Sequence, residues 1–197
     1  MIEILRRIVK PQHSGARIGS MSGHSKWSTI KHKKAVEDSK RGAAFTKIAK
    51  KIQIAAKKGN SGDPGMNPFL RTVLDEAHSL SIPSENVRRA IDKALGGGGG
   101  SEVEEIVYEA YGPGGVGLLI TSATDNRNRT GGEIKSIIDK ADGSLGSPGS
   151  VSYLKHINPV VPMITLTGDV LSRCLALIEA LENHDDVVEV WTNLNYE

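Results

Sequence analysis

Eleven lysines and arginines fall between Ser22 and Lys58 (Lys26, Lys31, Lys33, Lys34, Lys40, Arg41, Lys47, Lys50, Lys51, Lys57 and Lys58). Only Glu37 and Asp38 oppose them, leaving +9 over 37 residues. Cations at this density displace condensed counterions from a polyanion, which gives an affinity that depends steeply on salt and little on base sequence. An unpaired lysine is almost never buried, so the charge belongs at a surface. Trp27 lies inside the run. Its ring has two readings, a platform for an unpaired base and an anchor holding the segment against the fold. His24 and His32 have no Cys or carboxylate at ligand spacing, and the surrounding lysines repel a metal ion, so His32 is grouped with the phosphate contacts. A second cationic pair, Arg127 and Arg129 in TDNRNRT (124–130), precedes an expected helix N-terminus, a natural anion site. Capping by Asp125, Asn128 or Thr130 is the competing reading of that segment and is compatible with the first.

The other suggestive residues do not assemble a reaction centre. Cys174 falls on the inward stripe of an expected helix with no base nearby, which makes it a core residue. GPGGVG (112–117) has the glycine count of a dinucleotide loop but no following helix, and it reads as a hairpin turn. HDD (184–186) sits where a helix turns into a strand and is read as satisfying backbone groups. With no nucleophile, base and oxyanion site in one pattern, the expectation is a non-enzyme without cofactor, metal or small-molecule substrate.

The elements that must carry these residues follow from periodicity. Phe45, Ile48, Ala49, Ile52 and Ala56 recur at helical spacing, and Lys47, Lys50 and Lys51 lie mostly off that stripe. Phe69, Leu70, Val73, Leu74, Ala77 and Leu80 form a second stripe. Val87, Ala90, Ile91 and Leu95 form a third, led in by Pro83 and Ser84. Residues 21–95 are therefore expected to form a basic helical bundle. The glycines of 96–101 read as a linker.

Beyond them, IVYEAYG and VGLLITSAT predict a hairpin. A helix with Ile134, Ile137, Ile138 and Ala141 inward follows, then a strand at SVSYL. A second unit has a strand at MITLT, a helix with Val170, Leu171, Cys174, Leu175, Ile178 and Leu181 inward, and a strand at VVEVWTN. The expected class is α+β, with the bundle followed over 102–197 by a ferredoxin-like α/β sandwich, two helices on one face of a sheet.

Charge divides along the same boundary. Residues 1–100 hold 19 Lys/Arg against 8 Asp/Glu, and residues 101–197 hold 6 against 15, so halves of +11 and −9 hide behind a net charge of +2. Such asymmetry points to a nucleic-acid or membrane contact for the first half, against a solvated basic face as the commoner reason for a charge cluster. One cysteine excludes a disulfide framework within the chain and fits a reducing compartment. No apolar run approaches the roughly 20 residues of a membrane helix, and no membrane partner is expected. Residues 1–20 carry Arg6, Arg7, Lys10 and Arg17 against Glu3 alone and read as a disordered leader. The expected location is cytoplasmic, or mitochondrial or plastid if the leader is a presequence.

GHSKWSTIKHKKAVEDSKRGAAFTKIAKKI, GDPGMNPFLRTVLDEA, IPSENVRRAI, YEAYGPGGVGLLI, TDNRNRT and ALENHDDVVEVWTN occur in the order in which the YebC family carries similar motifs, and the chain resembles that family from Met21 onward. The family contains DNA-binding transcriptional regulators and a mitochondrial translational activator of cytochrome oxidase. The resemblance implies a helical N-terminal domain, α/β domains and no catalysis. It implies promoter DNA as partner or, alternatively, ribosomal RNA, in a ribosome-associated factor that relieves stalls at proline-rich sequences. The family continues for several dozen residues after the segment matching GSVSYL, where this chain has only KHINPVVP. Its third domain is therefore expected to be largely missing near 155–162. Carried over to this chain, the contact residues are Lys26, Trp27, Lys31, Lys33, Lys34, Lys40 and Arg41, with Arg127 and Arg129 second.

Overall fold

The computed structural model describes residues 23–96, 102–156 and 162–195, with side chains from Arg41 onward. Two compact units divide the chain, residues 1–39 and 40–197. The first contributes the beginning of helix α1 (Gly23–Lys58), and all side-chain contacts below belong to the second. The leader expected at residues 1–20 and most of the glycine linker lie outside the described residues.

Of the stripe expected on α1, Ile48, Ile52 and Ala56 are buried and Phe45 and Ala49 half-buried, with Ala55 buried beside them. Ile48, Ile52 and Ala55 meet Leu70 and Ala77 of α2 (Pro68–Ser79) and Ala90 of α3 (Ser84–Ala94) in one hydrophobic cluster. Two residues assigned to the α2 stripe do not join it, since Phe69 and Leu80 are exposed. Phe69 directly precedes the fully buried Leu70, and one residue turns a helix by about 100°, so the two cannot share a face. Leu95, beyond the end of α3, is exposed as well.

The turn from α1 into α2 is fixed by one buried side chain. Asn67 donates from Nδ2 to the carbonyls of Ala55 and Ser61, both at 2.9 Å, and its Oδ1 accepts the Leu70 N–H at 3.1 Å. It thereby caps α2 and ties that cap to the end of α1. Gly59 makes room for it, because a Cβ at that position would lie 2.1 Å from Asn67 Cγ.

The second half is built on a hairpin. β1 (Glu104–Tyr111) and β2 (Gly117–Thr124) are antiparallel along their whole length, Glu104 facing Thr124 and Tyr111 facing Gly117. Their turn closes through the Gly112 N–H to the Val116 carbonyl at 2.8 Å. Gly114 and Gly115 take φ values of 72° and 77°, a conformation that L side chains avoid. β2 is buried at every position, which fits its GLLITSAT composition and its place between neighbours.

The sheet order is β3-β1-β2-β5, antiparallel throughout, with β3 at Ser144–Leu145 and β5 at Val187–Thr192. Helices α4 (Arg127–Lys140) and α5 (Gly168–Glu182) cover one face with Ile134, Ile138, Cys174, Leu177, Ile178 and Leu181, whereas Leu175, expected inward, is exposed because it follows the buried Cys174 by one residue. The α+β class is as expected, and so is the layering of a four-stranded sheet under two helices. The threading differs from the ferredoxin order β-α-β-β-α-β, because the central pair here is a continuous hairpin.

Two expected strands are corrected. SVSYL is a 3-10 turn, Ser152–Lys155, and the edge strand lies earlier, inside the glycine-rich segment. The Glu109 carboxylate accepts the N–H groups of Gly149 and Val151, each at 2.6 Å, and so folds the chain back across the sheet. Val151 and Leu154 consequently pack on Leu119 of the face opposite the helices. MITLT contributes only β4 (Ile164–Thr165), which pairs in parallel with β6 (Leu194–Asn195) in a separate two-stranded sheet. Asn193 redirects the chain there, its Oδ1 accepting the Gly117 N–H at 2.8 Å and its Nδ2 donating to the Pro162 carbonyl at 2.9 Å.

Replacing Asn67 by Ala should cost about 1–3 kcal/mol, since it removes a cap and leaves the Ser61 carbonyl and the Leu70 N–H without their partner, the Ala55 carbonyl keeping the Gly59 N–H. Urea denaturation of the purified chain measures this. A loss below the noise of the fit would show that the turn is held by other contacts.

Candidate nucleic-acid interface

Among the residues expected to touch a polyanion, Lys26, Trp27, Lys31, His32, Lys33, Lys34 and Lys40 all lie on the helical backbone of α1. Their side chains are outside the described residues. Arg41 is exposed, with its guanidinium carbon 5.5 Å from the ring centroid of Phe45.

One turn further along α1 the lysines are engaged within the chain. Lys47 donates to the carbonyl of Glu182, the last residue of α5, and Lys50 donates to the Asp185 carbonyl at 2.9 Å. A cation at a helix C-terminus satisfies carbonyls that the helix leaves open and meets the negative end of its dipole. Lys51 reaches both carboxylate oxygens of Glu76 on α2, at 3.0 and 3.1 Å. Burial pushes the Lys47 ammonium below its ordinary value, against the attraction of Glu182 and Asp185.

The centre of this junction is Asp186, where α5 turns into β5. Its Oδ1 accepts Lys50 Nζ at 2.5 Å. Its Oδ2 accepts the Arg129 guanidinium at 2.8 Å and the Thr130 hydroxyl at 2.6 Å. The backbone of the same residue is also used, its N–H donating to His184 Nδ1 at 3.1 Å and its carbonyl accepting the Ala123 N–H at 2.7 Å. Burial by itself would raise this carboxyl. The hydrogen bonds from Lys50, Thr130 and Arg129, with the Lys50 charge, outweigh it and hold the group well below the usual carboxylate range.

The reading of HDD as structural is the one the geometry supports. Glu133, His184 and Asp186 do bring potential ligand atoms within 4.8 Å of one another. However, His184 Nε2 is 2.9 Å from Glu133, and the Asp186 oxygens face two cations that would repel a metal ion.

The two arginines of TDNRNRT have different surroundings. Arg129 is drawn onto Asp186 and also lies 3.2 Å from Asp125. Asn126 caps α4 by accepting the Arg129 N–H at 3.1 Å, so the capping role falls to a residue outside those named for it. Arg127 is exposed and lines an open cleft of about 440 Å³ with Tyr108, Gly131 and Leu145. The structure therefore brings Arg129 together with Lys50, through one carboxylate, and leaves Arg127 on the surface. Asp186 was read with HDD as satisfying backbone groups, but its ion pair was hidden from sequence reasoning, because Lys50 is 136 residues away and nothing local marks the pair.

Comparison with known proteins places these features in a lineage. A family model described as the TACO1/YebC protein N-terminal domain matches residues 25–97, and one described as the TACO1/YebC second and third domain matches 103–161. A "Probable transcriptional regulatory protein" of Prosthecochloris aestuarii is 58% identical over 136 residues, covering 69% of this chain and 54% of that protein. One of the same name from Trichlorobacter lovleyi is 49% identical over 175 residues, covering 87% of this chain and 70% of that one. The chain thus spans between about half and two thirds of the length of such relatives. A conserved hypothetical protein of Aquifex aeolicus, Aq1575, superposes with a TM-score of 0.72 at 26% identity, covering 80% of this chain and 91% of that one.

Replacing Asp186 by Asn should destabilise the fold by about 1–3 kcal/mol, the cost of losing hydrogen bonds to a charged acceptor, since the Lys50 and Arg129 side chains left behind still reach water. The same carboxyl sets a pH dependence. A group held low in the folded state contributes stability that is fully present above its unfolded value of about 3.9 and is lost as pH falls below that towards its folded value. Denaturation midpoints of the natural chain should therefore drop as pH is lowered through that window, and D186N should show a shallower drop. Parallel profiles would assign the acid sensitivity to other carboxylates.

Proposed function

The chain belongs to the TACO1/YebC family, and on that premise we propose that it is a noncatalytic nucleic-acid-binding regulator of gene expression, of the transcriptional-regulator kind for which its relatives are named. The observation that carries this reading is the run of +9 over Ser22–Lys58, all of its charged residues on the single helix α1. Lys26, Trp27, Lys31, His32, Lys33, Lys34, Lys40 and Arg41 are its primary contact, and Arg127 is a second. Lys47, Lys50, Lys51 and Arg129 add to the local positive field while holding the fold together.

One observation favours a translational variant of this function. The run is rich in lysine and poor in the Arg, Asn and Gln that read base edges, a composition suited to gripping phosphates. A structured RNA, ribosomal RNA included, offers the same phosphates as promoter DNA, and a ribosome-associated role in relieving stalls at proline-rich stretches would use the same surface. No helix among the described residues is long and apolar enough to cross a membrane.

Replacing Lys31, Lys33 and Lys34 together by Glu should abolish binding to a short DNA duplex and to an RNA hairpin while the helical circular-dichroism signal persists. Affinity of the natural chain should fall steeply between low and physiological salt. Unchanged affinity in the triple variant overturns the surface. Crosslinking in growing cells followed by sequencing separates the two partners, with promoter DNA marking a transcriptional regulator and ribosomal RNA a translation factor.

A further inference from the structure

We propose that the turn between α1 and α2 is a stacking site for an unpaired nucleobase, with Phe69 and Met66 as its platform and Lys58 beside them for the adjoining phosphate. This rests on the nucleic-acid reading above and adds to it a place where single strands are distinguished from duplexes.

Met66 is 77% exposed and Phe69 50%, the two most exposed large apolar side chains among the described residues. They do not sit on a loose loop. Asn67, between them in sequence, is completely buried and makes three hydrogen bonds. The Asp63 carboxylate accepts the Gly65 N–H at 2.8 Å, and the Asp63 carbonyl accepts the N–H groups of Met66 and Asn67. Arg71 reaches back from α2 to the carbonyls of Pro64 and Gly65 at 3.1 and 3.2 Å. A turn fixed at this many points could have kept its apolar residues inward, yet it holds two of them in water, where they cost solvation and contribute nothing to the core.

The surrounding charge selects what covers them. Lys58 Nζ lies 5.1 Å from the centroid of the Phe69 ring, and Arg71 adds a second cation to the same turn. The nearby acid, Asp63, has its carboxylate turned to the Gly65 N–H. An aromatic face beside cations that make no ion pair among the described residues is the arrangement with which proteins hold single-stranded nucleic acid, base on ring and phosphate on cation. An apolar protein partner would be served by Met66 and Phe69 but would have to desolvate Lys58 without return.

The test uses the full chain and two fluorescently labelled probes of equal length, a single-stranded oligouridine RNA and an RNA duplex. Phe69→Ala should weaken binding to the single strand by about tenfold, the loss of one stacked base, and leave the duplex unchanged. Phe69→Trp should restore the single-strand affinity. Because Phe69 is half exposed, both variants keep the native circular-dichroism spectrum. Single-strand affinity unaffected by F69A overturns the site and leaves the surface to a protein partner. Equal losses on both probes also overturn it. Failure of the natural chain to bind either probe removes the parent reading together with this one.

Discussion

A carboxylate with every oxygen committed is the constraint on which the fold of residues 40–197 depends. Asp186 collects Lys50 from α1, Arg129 and Thr130 from α4, and through its own backbone Ala123 from β2 and His184 from the end of α5. Taking a charge out of water is costly, and such clusters contribute less net stability than their short distances suggest. Their value is geometric, because few arrangements of four elements satisfy all the partners at once. Shifting any one element removes a hydrogen bond from this buried residue, so the corner penalises alternatives more than it rewards the native state.

The junction also changes how the charge of the chain is understood. Counted along the sequence, the two halves look like a cation and an anion joined by a linker. In the fold, part of each charge is neutralised by the other: Lys47 and Lys50 close the end of α5, and Lys57 pairs with Glu102 at 2.6 Å while also reaching the Val103 carbonyl. The acidic half is in this sense a partner of the basic helix. The charge available to an external polyanion is smaller than +11 and is weighted towards the beginning of α1.

Much of this was legible in the residues. Period and burial agree at Ile48, Ile52, Ile134, Ile138, Cys174 and Leu181, because a helix in a two-layer fold has little choice about which stripe faces the sheet or the bundle. The hairpin was legible because its turn chemistry is local, with glycines where φ is positive. What escaped was long-range. Nothing near Glu109 announces that its carboxylate will recruit the Gly149 and Val151 N–H groups and turn an apparent strand into a 3-10 turn. Nothing near Asn193 announces that it will divert the chain into a second sheet. Phe69 escaped for a different reason. A stripe read by composition absorbs any apolar residue near it, whereas the phase of the helix excludes this one. As for the candidate interface, its existence was visible as a run of charge. The division of its lysines between partners inside and outside the chain required the positions of Glu76, Glu182 and Asp186.

The continuous hairpin at the middle of the sheet bears on how the chain reaches its structure. In the β-α-β-β-α-β threading the two central strands are separated by a helix and another strand, so the core pair forms only after a long loop has closed. Here five residues separate β1 from β2, and their pairing needs only the short closure of a local turn. The slow, entropically expensive closures are displaced to the edges: β3 arrives across α4, and β5 arrives last across α5, bringing Asp186 with it. Folding can therefore start from a local, register-defined ribbon and finish with the ion cluster.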